Sequence, residues 1–96
     1  MKILAIGKSD PKAPPERFKP FLKAEAKRVW ELQQLDLIRE VYFRQDIPDA
    51  VIVLETSSTI EARKILNTLP LVEEKLIDFD IIPLKAYPGF ERLFAD

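Results

Sequence analysis

Glu25, Arg39, Glu40, Arg44 and Glu55 are the side chains best placed by type and spacing to do chemistry, and Lys8 joins them at the end of the first apolar run. The chain has no cysteine and no histidine. That removes the thiolate nucleophile, the thiolate zinc site, the usual general base and the commonest metal ligand. Chemistry here falls to carboxylates, lysine, arginine, tyrosine or backbone. Read as a strand, Leu37 to Arg44 puts Leu37, Arg39, Val41 and Phe43 on one side, with Ile38, Glu40, Tyr42 and Arg44 on the other. If the first side packs under helices, the Arg39 guanidinium is half-buried and needs an anion. Glu25, near the middle of a predicted helix, and Glu55, at the end of a predicted strand, are the anions at hand. Two readings follow. Either the pair is a structural tie between helix and sheet, or Arg39 holds a substrate carboxylate while a glutamate moves a proton.

Trp30, Tyr42 and Tyr87 are large amphipathic side chains. They fill core or interface, or they line a helix–sheet cleft suited to a small aromatic or lactone-like ligand. Lys8 is either an anion contact at the sheet end or a solvated loop charge. The only glycines are Gly7 and Gly89, so no glycine-rich phosphate loop is present.

The elements that must position these residues follow from apolar spacing. Residues 3–6 are continuously apolar and read as a buried central strand. A loop with three prolines runs from Lys8 to Pro15, and Pro15–Lys19 is a preliminary turn. The main helix starts at Pro20, where proline is tolerated, with Leu22, Ala26, Val29 and Leu32 on one face and Glu25 interrupting it. Leu37–Arg44 is a mixed strand nearer the sheet edge, and Ala50–Leu54 is a second central strand. Ser58 and Glu61 form a capping box ahead of Ala62, Ile65, Leu66 and Leu69; Pro70 ends that helix. Ile77–Ala86 is the fourth strand, and Pro83 argues for an edge or bulged position.

The order strand, helix, strand, strand, helix, strand is the ferredoxin-like α+β arrangement: a four-stranded antiparallel sheet with both helices on one face. All 96 residues make one domain, with 89–96 as a C-terminal tail. The other face of the sheet is left bare. Alternate side chains such as Ile3 with Ala5, or Val51 with Val53, would meet water there, so a homodimer or higher homo-oligomer is expected. Phe90, Leu93 and Phe94 form a short apolar stripe, expected to bury against the partner subunit or over the cleft.

The formal net charge is −1, and the predicted central strands carry no aromatic residue. Nucleic-acid binding on the sheet is therefore not expected. No apolar run is long enough to span a membrane or serve as a signal peptide, which points to a cytoplasmic protein.

Leu69-Pro70-Leu71-Val72, Asp78 to Leu84, and Ile38-Arg39-Glu40-Val41-Tyr42 resemble the muconolactone isomerase-like family. The ending from Pro83 to Phe94, Pro-Leu-x-x-Tyr-x-Gly-Phe-x-x-Leu-Phe, is similar to a bacterial branch of it. The resemblance implies a dimeric α+β barrel and proton transfer on a small lactone or aromatic acid without metal or cofactor. It implies Glu25 and Arg39 as the acidic and cationic members of the site. Tyr42 would be its aromatic wall, and Lys8 would match a lysine after the family's first strand; Trp30 and Glu55 are pocket candidates by residue type alone. A non-catalytic ligand-binding module and an assembly protein remain open beside the isomerase-type enzyme.

Overall fold

The computed structural model describes residues 1–95. Its elements are β1 (Lys2–Ser9), α1 (Pro15–Phe18), a 3-10 turn (Lys19–Phe21), α2 (Leu22–Gln34), β2 (Ile38–Phe43), β3 (Ala50–Glu55), α3 (Thr59–Leu66), α4 (Pro70–Glu73), β4 (Ile77–Pro83) and a second 3-10 turn (Gly89–Leu93). The strands form one antiparallel sheet in the order β2-β3-β1-β4. The two apolar strands are central and the two mixed strands are the edges, as the patterns require. No helix among the described residues is long and apolar enough to cross a membrane.

Period-two alternation sorts the sheet into two faces. Ile3, Ala5, Ile52, Leu54 and Phe79 are buried and pack with Leu32, Ala62, Leu66 and Leu69 in one core. The opposite face carries Leu4, Ile6, Val51, Val53 and Ile82, each only partly covered or exposed. Ile3 and Ala5, expected on the bare face, therefore belong to the core; β1 starts one residue earlier, at Lys2, and its open-face positions are the even ones.

The helices are fixed by specific ends. Pro15 occupies the first turn of α1, and α2 begins at Leu22 rather than Pro20, because the 3-10 turn absorbs Pro20. Ser58 Oγ accepts from the Glu61 N–H at 3.0 Å and caps α3. Pro70 both follows α3 and opens α4. Asp36 and Lys75 end α2 and α4 with φ of 61° and 59°. At each end two backbone bonds close a Schellman turn: Leu37 N–H to Leu32 and Asp36 N–H to Gln33, then Leu76 N–H to Leu71 and Lys75 N–H to Val72. Arg63 ties α3 to β4, donating to Asp78 Oδ1 at 3.0 Å and to the Phe79 carbonyl at 2.8 Å.

β4 stops at Pro83, and the chain leaves the sheet as an arm. The radius of gyration is 15.8 Å, against about 13 Å for a compact chain of about 100 residues. Tyr87 and Phe90 stack edge to face with ring centres 5.0 Å apart, while Phe90, Leu93 and Phe94 all remain exposed. The arm does not fold back onto its own domain.

Candidate functional site

Between α2 and the core face of the sheet lies a cavity of about 490 Å³, within the range typical of small-molecule sites, about 300–1,000 Å³. One wall is α2, through Leu22, Glu25, Ala26 and Val29. The spacing of these residues puts them on one helical face. The sheet supplies Gly7, Val41, Phe43, Ala50, Ile52, Ile77 and Phe79, with Phe18, Pro48 and Leu71 from the flanking segments, and the cleft is partly open to solvent. The lining is mostly apolar, so the few polar groups set what it can do.

Glu25 is the first of them. Its Oε1 accepts the Leu71 N–H at 2.9 Å, joining α2 to the start of α4. That N–H is a free donor because Leu71 sits in the first turn of α4. Burial of the half-covered carboxyl pushes its pKa up from the ordinary glutamate value, and the bond from Leu71 opposes this in part. A carboxyl that holds its proton more tightly, beside an apolar void, is placed for general acid–base work.

Ser9 and Asp49 form the second polar group. Ser9 shares the parity of Gly7 and Ala5, so its hydroxyl is on the core face at the end of β1. Asp49 Oδ1 accepts from Ser9 Oγ at 2.6 Å and from the Ser9 N–H at 3.2 Å. Both residues line the cavity. Sequence reading missed this pair, because Asp49 sits in a turn 40 residues away from Ser9 and only the β1–β3 register brings them together.

The remaining sequence candidates lie elsewhere. Lys8 borders the cavity through its place in β1, but its ammonium pairs with Asp80 at 2.9 Å on the open face, which raises its pKa. Arg39 does not pack under the helices. A bulge between Ile38 and Glu40 shifts the β2 register by one residue, so that Ile38, Val41 and Phe43 face the core and Arg39 is carried outward. Its Nε donates to the Asp36 carbonyl at 2.9 Å. Tyr42 lies on the open face and donates to Glu40 at 2.7 Å, which raises the phenol pKa. Glu55, on the open face, pairs with the Met1 amino group at 2.8 Å, which holds its carboxyl below the usual range. Trp30 is exposed and does not line the cavity. The structure thus brings Glu25 to the cavity and places Arg39, Tyr42, Glu55 and Trp30 outside it. Among the described residues no three His, Cys, Asp or Glu side chains gather in a group that could hold a metal ion.

Solved structures share this architecture. Muconolactone isomerase superposes with a TM-score of 0.74 at 18% identity, over 93% of this chain and 93% of that one. The 5-chloro-2-hydroxyhydroquinone dehydrochlorinase of Burkholderia phenoliruptrix AC1100, solved with 2,5-dihydroxybenzoquinone, superposes with a TM-score of 0.74 at 14% identity, over 93% of this chain and 98% of that one. No family model matches the sequence, and no curated protein matches it. At these identities the likeness is one of fold, and at that level the resemblance seen in the sequence holds.

Proposed function

We propose, from a fold shared with muconolactone isomerase, that this chain is a cofactor-independent enzyme that moves a proton on a small cyclic molecule held between α2 and the sheet. The observation that carries the reading is Glu25: a half-buried carboxyl with raised proton affinity on the wall of an apolar cavity. The substrate ring lies against Val29, Val41, Phe43 and Phe79, and the Glu25 carboxylate takes a proton from the carbon next to a carbonyl and returns it at a second carbon. The Leu71 N–H holds one carboxylate oxygen, fixing the direction of the other. The two neighbours of known activity act on small rings, which supports the size class.

The working unit in this proposal is a homodimer closed sheet on sheet. Its support is the open face, where Leu4, Ile6, Val51, Val53 and Ile82 form an apolar centre. Such a contiguous patch marks an interface more often than bare surface. Tyr42, Glu55 and Lys8 lie on that same face, so their part is at the subunit boundary.

Deuterium exchange tests the chemistry. The protein is incubated in D2O with a panel of small lactones and cyclic ketones, and label at carbon is followed by NMR. The expected result is catalysed exchange into at least one member, reduced about 100-fold or more in Glu25→Gln. Binding without exchange would make the chain a ligand-binding module instead, and absence of both would leave an assembly protein.

A further inference from the structure

We propose that Glu25 and Asp49 together select against carboxylates, so that the ligand of this cavity is an uncharged or cationic ring compound that donates hydrogen bonds. This rests on the cavity being a ligand site, and adds the class of ligand and a second specificity-determining residue, Asp49.

The argument is one of charge and of free acceptors. The cavity lining holds two carboxylates, Glu25 and Asp49, and one cation, Lys8. The Lys8 ammonium is engaged by Asp80 on the far face of the sheet. Neither arginine of the neighbouring strand and turn lines the cavity: Arg39 donates to the Asp36 carbonyl, and Arg44 is exposed and paired with Asp46, although its charge also reaches Asp49. No positive charge on the lining is therefore free to meet a ligand carboxylate. Like charges brought together in a cleft that is only partly shielded from water still repel, and the cost falls on the incoming anion.

Both carboxylates also have acceptor capacity left over. Glu25 uses Oε1 for the Leu71 N–H, and Asp49 uses Oδ1 for the two Ser9 donors. Among the described residues neither Oε2 of Glu25 nor Oδ2 of Asp49 makes a hydrogen bond. A ring hydroxyl or amine can supply the missing donors. A carboxylate ligand brings only acceptors and leaves these oxygens unpaired. The apolar remainder, including Leu22, Val29, Val41, Phe43 and Phe79, suits the body of the ring.

Calorimetric titration of the full chain at pH 7 with 2-naphthol, 2-naphthylmethylamine and 2-naphthoate tests this. These three share one ring system and differ in charge and donors. Naphthol or the amine should bind at least tenfold more tightly than naphthoate. A purely apolar cavity would also disfavour naphthoate, so the deciding quantity is the ratio in variants. Glu25→Gln and Asp49→Asn should each narrow the ratio of naphthoate to naphthol dissociation constants threefold or more. An unchanged ratio in both variants, or naphthoate binding as tightly as naphthol in the wild type, overturns the selectivity while leaving the cavity a ligand site. Binding of none of the three overturns the cavity as a ligand site, and this inference with it. Should one variant fail to fold, the ratio in the other decides.

Discussion

Gly7 is buried in β1, opposite Phe79 in the register with β4, and its missing side chain leaves the cavity floor open. A Cβ built there would stand 3.0 Å from the Ala50 carbonyl oxygen and 3.2 Å from Phe79 Cε1. Neither neighbour yields easily. The Ala50 oxygen belongs to the backbone of a paired strand, and the Phe79 ring is 2% exposed, locked in the core. Forcing a methyl group into such a site costs about 1–3 kcal/mol. Replacing a strand glycine recovers about 0.5–1 kcal/mol of unfolded-state entropy. The difference predicts a net loss of about 0–2.5 kcal/mol for Gly7→Ala, centred on about 1 kcal/mol, which corresponds to a fall in Tm of roughly 4–8 °C for a chain of this size.

Urea unfolding followed by circular dichroism checks this: the midpoint should fall while the slope stays that of the wild type. Gly89→Ala is the internal control. Its Cβ would run into the Tyr87 ring even more closely, yet that ring is exposed and can swing aside. It should change stability by no more than about 0.5 kcal/mol. Ligand affinity should fall in Gly7→Ala and not in Gly89→Ala. A Gly7→Ala protein as stable as the wild type, with undiminished binding, would refute the claim that this glycine shapes the floor of the site.

Other outcomes can be set beside it. Burial raises the Glu25 pKa, so the unfolded chain releases that proton first and wild-type stability declines as pH rises from the ordinary glutamate value through the raised one. Glu25→Gln should flatten that decline in pH-dependent melting and leave the protein at least as stable at pH 7; a clear loss of stability there would contradict the burial argument. Val53→Asp puts a charge in the centre of the open sheet face, and light scattering at micromolar concentration should show the wild type as the proposed dimer and the variant as a monomer; a wild-type monomer would refute the sheet-on-sheet closure. Lys75→Gly relieves a non-glycine residue at φ 59°, where the left-handed conformation costs about 1–2 kcal/mol; its midpoint in urea should rise by the equivalent of about 0.5–1 kcal/mol once glycine's own entropy is deducted. Ending the chain at Pro88 removes Phe90, Leu93 and Phe94, and sedimentation should show weakened self-association, since these side chains find no berth on their own domain.

The elements were legible because burial writes itself into spacing. Continuous apolar runs at β1 and β3 separated central from edge strands, and Ser58 announced the start of α3 by the capping chemistry the structure shows. Helix ends were less legible. Asp36 and Lys75 take left-handed turns that glycine normally signals, so nothing in their identity marked the Schellman closures. Half of the site was readable: Glu25 stood out as an acidic break in an apolar helix face. Gly7, Ser9 and Asp49 did not, because neither a void left by a missing side chain nor a polar pair between a strand end and a distant turn has a local pattern.

Arg39 shows why strand parity misled. Ile38 is 1% exposed, and Val41 and Phe43 line the cavity. Val41 lies three positions after Ile38, an odd step that regular alternation cannot place on one face. Without an extra residue, turning Val41 and Phe43 inward forces Arg39 inward with them. A buried guanidinium costs several kcal/mol of desolvation unless an anion meets it. A bulge gives up about one ladder hydrogen bond, worth about 1 kcal/mol. The bulge is the smaller loss, and the register shift at Ile38/Glu40 is the result. Its consequence reaches the site: the strand keeps its apolar wall and sends its cation to the Asp36 carbonyl. The cavity is left with carboxylates that no lining arginine neutralises.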